Sequence, residues 1–412
     1  MSSIASTAGE TPILHDSEPT GGRLVFVDVL RVGLIVLVIA HHAGQAYGPT
    51  GGDWPVTETE SIDWLGSFFA VNAAFFMGLL FLLAGYFVPR SYDRRGIGDF
   101  LKGRWKRIGV PLIVVTLLLQ IPGAYSVDED SSGFGEFLRN AYHNGLQEIY
   151  IHLWFLGHLL LYSALYAVGR RLLDRRGDNR TRTWPVPSHT VIIGFVVLLA
   201  LVSAVVRYWY PIDEWAPLFF VLAAEPAHLP QYVSLFAIGI VAYRGDWLRR
   251  LPVTTGLIWL AVGVTASVAL YSIRAFSPDT WRDLVGTGDG FGLRSLVYPT
   301  WEALICAGMS VGLIVLFRER FNRAGPILGA MAAASYTAYI LHWMIVVGTQ
   351  AGLKGTDLPI LMKFLIVTVV GTVLAFILGH YARRVPGLRV ALGIQADKQR
   401  ASLEASNEAT RP

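Results

Sequence analysis

Arg31 and His42 stand eleven positions apart in RLVFVDVLRVGLIVLVIAHHAGQAY, an otherwise apolar run. On a helix turning about 100° per residue they differ by only about 20°, with about 16 Å of axis between them. Asp28 lies three positions before Arg31 and Gln45 three after His42, so one polar stripe runs along the helix. Ionisable side chains inside an apolar span cost free energy and by default mark function. A histidine titrates near neutrality and suits proton transfer from a hydroxyl, while an arginine suits an oxyanion or phosphate. His41 points about 100° away from the stripe. The plainer reading has Asp28 snorkelling, Arg31 paired with it, and both histidines ending the helix at the interface.

Other apolar segments carry comparable groups. ASYTAYILHW puts Ser335, Tyr339 and His342 on one helical face, and His342 is expected at the depth of His42 on the same cavity. EIYIHLWFLGHLLLYS brings His152, Trp154 and His158 into the outer half, although His152 and His158 are about 240° apart and cannot both face one cavity. Glu302 enters the same layer just after Trp301. The ordinary role of a membrane histidine is a hydrogen bond between helices, and that of Trp154 an interfacial belt. At the opposite end, FLKGRWKRIGVPL sets Arg104 and Arg107 three apart. They serve either as a positive-inside anchor or as a bidentate phosphate grip.

The composition fixes what must hold these groups. Of 412 residues, 53% are hydrophobic and 16% charged, with mean hydropathy +0.47, against about 25% charge in a soluble chain. Apolar runs long enough to cross a bilayer recur, and ten spans are expected at about 24–47, 64–88, 107–123, 150–172, 189–209, 230–244, 254–273, 296–317, 326–349 and 360–382. The fold class is therefore all-α, a polytopic membrane protein of about ten transmembrane helices. The sixth span is short and follows Pro226 and Pro230, so 211–229 reads as a re-entrant or interfacial piece. With ten spans, 26 of the 34 basic residues fall on one side and seven opposite, leaving Arg31 inside a span. Both termini are expected in the cytoplasm. Residues 1–22 read as a disordered cytoplasmic lead, 23–385 as the transmembrane domain and 386–412 as a polar cytoplasmic tail; the first apolar run lacks the features of a cleavable signal.

Several classes are excluded. A single cysteine, Cys306, permits neither an intramolecular disulfide framework nor a cysteine-built metal site, and no metal is expected. The pI of 9.1 reflects charge spread along the loops rather than one patch, so no nucleic-acid partner is expected. No internal repeat is visible, which weighs against an inverted-repeat transporter.

Taken together these residues resemble the acyltransferase-3 family of integral membrane O-acyltransferases. The resemblance is carried by Arg31-x10-His42 within FVDVLRVGLIVLVIAHH, FFMGLLFLLAGYFVP, Arg104-x-x-Arg107 followed by Pro111, HLWFLGHLLLY and SYTAYILHW, in order from residue 24 to about 383. HLWFL and PQYVSLFAIGIVAY are most similar to the branch that includes periplasmic glucan succinyltransferases. The resemblance implies a multi-pass protein of the inner (plasma) membrane that moves an acyl group from cytoplasmic acyl-CoA to a hydroxyl of an extracytoplasmic or lipid-linked carbohydrate. No permanently bound cofactor is implied; acyl-CoA is the donor substrate, and the partners are a carbohydrate or glycolipid acceptor and the bilayer. His42 matches the family's essential histidine, Arg31 its basic partner, and Arg104 and Arg107 its cytoplasmic arginine pair. The SGNH-type hydrolase domain that some members carry is not expected here, which leaves the acceptor open. A thioester is already activated, so a histidine base acting on the acceptor hydroxyl suffices, a contribution of about 10²–10⁴-fold. Two other readings stand beside this one: a transporter or flippase using Arg31 and the histidines as a proton or anion path, and a relative that has kept the fold without the chemistry.

Overall fold

The computed structural model describes residues 23–49, 54–128, 132–175, 183–277, 279–280 and 293–394. The expected lead, 1–22, and the tail beyond residue 394 lie outside the described residues. Among the described residues, eight helical runs are long and apolar enough to cross a membrane. The first is α1, Val25–Gly44. The second, Trp64–Val127, is a 64-residue run built from α2 (Trp64–Ala73), α3 (Phe76–Arg104), α4 (Val110–Val115) and α5 (Ile121–Val127). Gly96, at φ +69°, breaks this run into two legs, a left-handed conformation that costs glycine little. Two π-helical turns, Trp105–Gly109 and Thr116–Gln120, interrupt the second leg. Such turns shift which side chains face inward and recur at functional sites.

After the short α6 (Phe134–His143) and α7 (Gln147–Tyr150) come α8 (Trp154–Arg175) and α9 (His189–Trp209). The segment expected to be re-entrant or interfacial is not wholly helical. It forms an antiparallel hairpin, β1 (Ala216–Leu218) with β2 (Leu222–Ala224), then a 3₁₀ turn at Pro226–His228. Ala223 and Ala224 are buried. The carbonyl of Ala223 meets His158 Nε2 and that of Val221 accepts from Tyr150 Oη, so protein groups satisfy non-helical backbone beside apolar helices.

α10 (Leu229–Arg244) has only 16 residues yet packs deeply against α3. A Cβ at Gly239 would stand 2.1 Å from the Leu82 carbonyl oxygen, and one at Gly85 2.2 Å from that of Phe236. These two glycines bring the backbones together as small residues do between membrane helices. The short α11 (Trp247–Arg250) leads into the antiparallel pairs α12 (Val253–Phe276) with α13 (Val297–Arg320) and α14 (Pro326–Leu353) with α15 (Ile360–Ala382). A short α16, Pro386–Ala391, lies in what the sequence reads as tail, and Gly393 after it packs on Arg107 and Pro111. Val191, Leu198, Leu257, Val268, Leu365 and Val369 are exposed on the outer faces of α9, α12 and α15, surfaces suited to lipid. α1 lies inside, against α14, α15 and α13.

Candidate functional site

α1 delivers one end of its polar stripe to each of two cavities. The larger, about 750 Å³, is lined by His41 and His42 from its last turn and by Gln45 just after it; the smaller, about 290 Å³, is lined by Arg31. Asp28 lines neither, being ion-paired with Arg23 at 2.6 Å and Arg31 at 3.6 Å.

At the larger cavity His42 Nδ1 lies 2.8 Å from His342 Nε2, with the two rings stacked 5.0 Å apart. His342 Nδ1 lies 2.5 Å from the carbonyl oxygen of Tyr339. A carbonyl only accepts, so Nδ1 of His342 carries the proton and its Nε2 accepts from His42 Nδ1–H. The remaining nitrogen of His42, Nε2, has no hydrogen-bond partner among the described residues and keeps its lone pair on the cavity side. His152 braces this pair. Its ring centroid is 4.5 Å from that of His342, its Nε2–H donates to the carbonyl of Ile340 at 3.1 Å, and its Nδ1 accepts from Gln120, in the second π turn, at 3.2 Å.

The end of α1 is held by two residues that a search confined to ionisable groups passes over. Gln350 donates to the carbonyls of His42 and Ala43 at 3.2 and 3.1 Å, reinforcing the helix terminus beside the Gln45 N–H that His42 O also accepts. Trp54 donates to Gln350 Oε1 at 2.8 Å and lays its ring 5.4 Å from that of His42. The loop bearing Trp54 is tied down by Lys363, whose ammonium meets Glu58 at 2.8 Å. A glutamine within an apolar span is the signal that would have found Gln350 and Gln120. His41 turns instead toward Phe69 and Phe76, its ring 4.9 and 5.1 Å from theirs, with Nε2 bonded by Gln45 at 3.1 Å.

The smaller cavity gathers Arg31 with Arg104 and Arg107, and adds Arg95 and Tyr336. Arg104 lies over Phe100 and Arg107 over Tyr336, at 5.2 and 5.9 Å from the ring centroids. Among the described residues no carboxylate pairs with Arg95, Arg104 or Arg107.

The sequence places Ser335, Tyr339 and His342 together on the cavity of His42, and the structure separates them. Ser335 lines the smaller cavity, because seven residues, about 10 Å of axis, part it from His342 on the shared face. Tyr339 lines both cavities and donates its hydroxyl to the carbonyl of His152. His342 lies wholly buried behind His42 and lines neither. His158 also lines neither. It is buried between Tyr162 Oη and the carbonyl of Ala223, a helix-to-hairpin brace.

Trp154 and Glu302 do line the larger cavity. Glu302 pairs with Arg207 and with His228, which also reaches Glu225 at 2.7 Å. Asp213 stands beside Glu225, its carboxyl raised to about 6 by burial and then by the neighbouring Glu225. Sequence reading missed Asp213, Glu225 and His228 because their segment has no helical period.

The family model described as an acyltransferase domain, acyltransferase-3, matches residues 24–380. The chain belongs to the acyltransferase-3 family. Two curated relatives, each called glucans biosynthesis protein C, come from Shigella dysenteriae serotype 1 and Escherichia coli K12. Each is 26% identical over 269 residues, covering 63% of this chain and 68% of its own. No solved structure matches the chain significantly. The protein is accordingly a multi-pass membrane acyltransferase, and both cavities fall within the acyltransferase-3 match. Acyl transfer to a hydroxyl needs a base at the attacking oxygen and a grip on the donor.

Proposed function

We propose that this acyltransferase takes an acyl group from cytoplasmic acyl-CoA and delivers it to a hydroxyl of an extracytoplasmic or lipid-linked carbohydrate. The observation that carries this reading is Tyr339, the side chain that lines both the arginine cavity and the His42 cavity. Arg95, Arg104 and Arg107 hold the CoA phosphates through bidentate, charge-assisted hydrogen bonds. The pantetheine arm passes Tyr339 and brings the thioester to His42. Arg31 faces the arginine cavity, so its part is in donor binding rather than at the thioester carbonyl.

His42 Nε2 takes the proton of the acceptor hydroxyl as that oxygen attacks the carbonyl carbon. The C–S bond then breaks, and His42 returns the proton to the departing CoA thiolate. His342 fixes the tautomer that leaves Nε2 free and so plays the orienting part of a dyad. The carbohydrate acceptor is supported by the relatives' name, glucans biosynthesis protein C.

The chain sits in the inner (plasma) membrane and crosses it ten times. The run Trp64–Val127 supplies two crossings about Gly96, and α10 is a short crossing inside the bundle. Both termini, with the arginine cavity, face the cytoplasm, as the excess of Lys and Arg on that side supports. The test is sidedness of donor use in proteoliposomes of known orientation. Radiolabelled acyl-CoA supplied only to the arginine side should acylate a glucose oligosaccharide enclosed on the His42 side. Acylation only when donor and acceptor share the His42 side would overturn the path past Tyr339.

A further inference from the structure

One wall of the large cavity comes from α8, the hairpin segment, α10 and α13, and the proton transfer assigned to His42 makes no use of it. Trp154, Tyr232 and His228 form a column of nearly parallel rings there. Trp154 and Tyr232 lie 5.2 Å apart at 27°, and His228 and Tyr232 6.0 Å apart at 25°. Trp215 meets Trp154 edge-on at 5.9 Å. All four rings line the cavity.

Three carboxylates stand beside this column. Glu302 is engaged by Arg207 and His228, and Glu225 by His228 and by the Asp213 backbone N–H at 3.1 Å. Three acids thus face two bases, leaving the wall with acceptor capacity beyond its own ion pairs. Arg274 and Lys354 line the same cavity, from the last turn of α12 and from just past the end of α14.

A carboxylate with spare lone pairs accepts the hydrogens of hydroxyl groups, and the bond is stronger for the charge. Flat aromatic faces give broad apolar contact to the C–H face of a saturated ring. An anion brought against surplus carboxylates meets repulsion, so such a wall rejects as well as selects. We propose that this wall is the acceptor subsite and that it takes a neutral pyranose ring. The ring packs on Trp154, at the end of the column, because Tyr232 is covered by Trp154 and His228, and it donates hydroxyl hydrogens to Asp213 and Glu225. A further hydroxyl is thereby presented to His42 within the same cavity. The assignment rests on the acyl-transfer reading, since it takes this cavity for the acceptor's side.

The test is binding without a donor, so that its failure is distinct from a failure of catalysis. A neutral glucose oligosaccharide and a glucuronic acid oligosaccharide of equal length are titrated calorimetrically into the purified full chain. The wild type should bind the neutral probe and bind the acidic one at least about tenfold more weakly, a difference of about 1.4 kcal/mol. Trp154→Ala should weaken neutral binding about tenfold, Trp154→Phe should restore most of it, and Asp213→Asn should weaken it severalfold, all with unchanged acyl-CoA binding. Should Trp154→Ala elute as aggregate, Trp154→Leu replaces it, being bulky without a π face. Equal binding by wild type and the Trp154 variant, preference for the acidic probe, or no binding of either probe overturns the subsite. If donor-dependent transfer to a glucose oligosaccharide persists in that event, the proposed function stands and only the location of the acceptor is lost.

Discussion

His42 donates its Nδ1–H to His342 Nε2 across 2.8 Å, from a residue 300 positions away in the chain. His342 is in turn fixed by the carbonyl of its own helix at Tyr339. Replacing His342 should therefore reduce the chemical step without touching either substrate. His342→Ala is expected to lower kcat by about 10²-fold, within the range for a lost acid–base arrangement, with KM for acyl-CoA unchanged. His342→Gln, whose carbonyl can accept from His42, should recover part of the loss. A rise in KM with kcat intact would assign His342 to substrate binding instead.

At the donor end, anchoring and phosphate binding give opposite expectations. Lysine preserves the charge that sets topology but lacks the planar fork. Arg104→Lys and Arg107→Lys should each raise KM for acyl-CoA severalfold, because phosphates remote from the reacting carbonyl contribute mainly uniform binding. Unchanged donor dependence, with topology verified by reporter fusions, would return both residues to the role of anchors.

Tyr339 stands between the cavities, so its bulk should control passage more than binding. Tyr339→Phe loses the hydroxyl bond to the His152 carbonyl but keeps the ring, and should retain most transfer. Tyr339→Trp should block transfer while CoA itself still binds. Wild-type turnover in Tyr339→Trp, measured alongside CoA binding, would place the donor's route elsewhere.

The backbone contact of α3 and α10 predicts a stability effect remote from either cavity. Gly239→Val adds a side chain where Leu82 O already lies 2.1 Å from the Cβ position, so the helices must part. Overpacking of this kind costs about 1–3 kcal/mol, and a lower Tm in detergent is expected. An unchanged Tm would mean that α10 shifts freely on α3.

The stripe on α1 is legible in sequence because α1 is one unbroken helix, where 100° per residue holds from Arg31 to His42. The same arithmetic fails for Ser335. A shared face does not give shared depth, and the ring of Tyr339 divides the space. Arg95 is hidden from sequence because it precedes the left-handed Gly96 and reaches the site only when the chain doubles back, its guanidinium then coming against Gly103. The group of Asp213, Glu225 and His228 depends on a hairpin whose contacts with α8 and α13 span dozens of residues. No local period announces it. Among the described residues eight runs carry the apolar signal of a full span, while α10, at 16 residues, relies on the bundle around it.

The most direct measurement is acyl transfer by His42→Ala beside His41→Ala, in proteoliposomes supplied with acyl-CoA and a glucose oligosaccharide. Both variants are first matched for expression, elution and acyl-CoA binding. With His42 Nε2 as the base, His42→Ala should lose transfer by about 10²–10⁴-fold. His41→Ala, whose ring packs on Phe69 and Phe76, should keep most of it. A well-folded His42→Ala protein that transfers acyl groups at the wild-type rate, or a dead His41→Ala beside it, would contradict the assignment of His42.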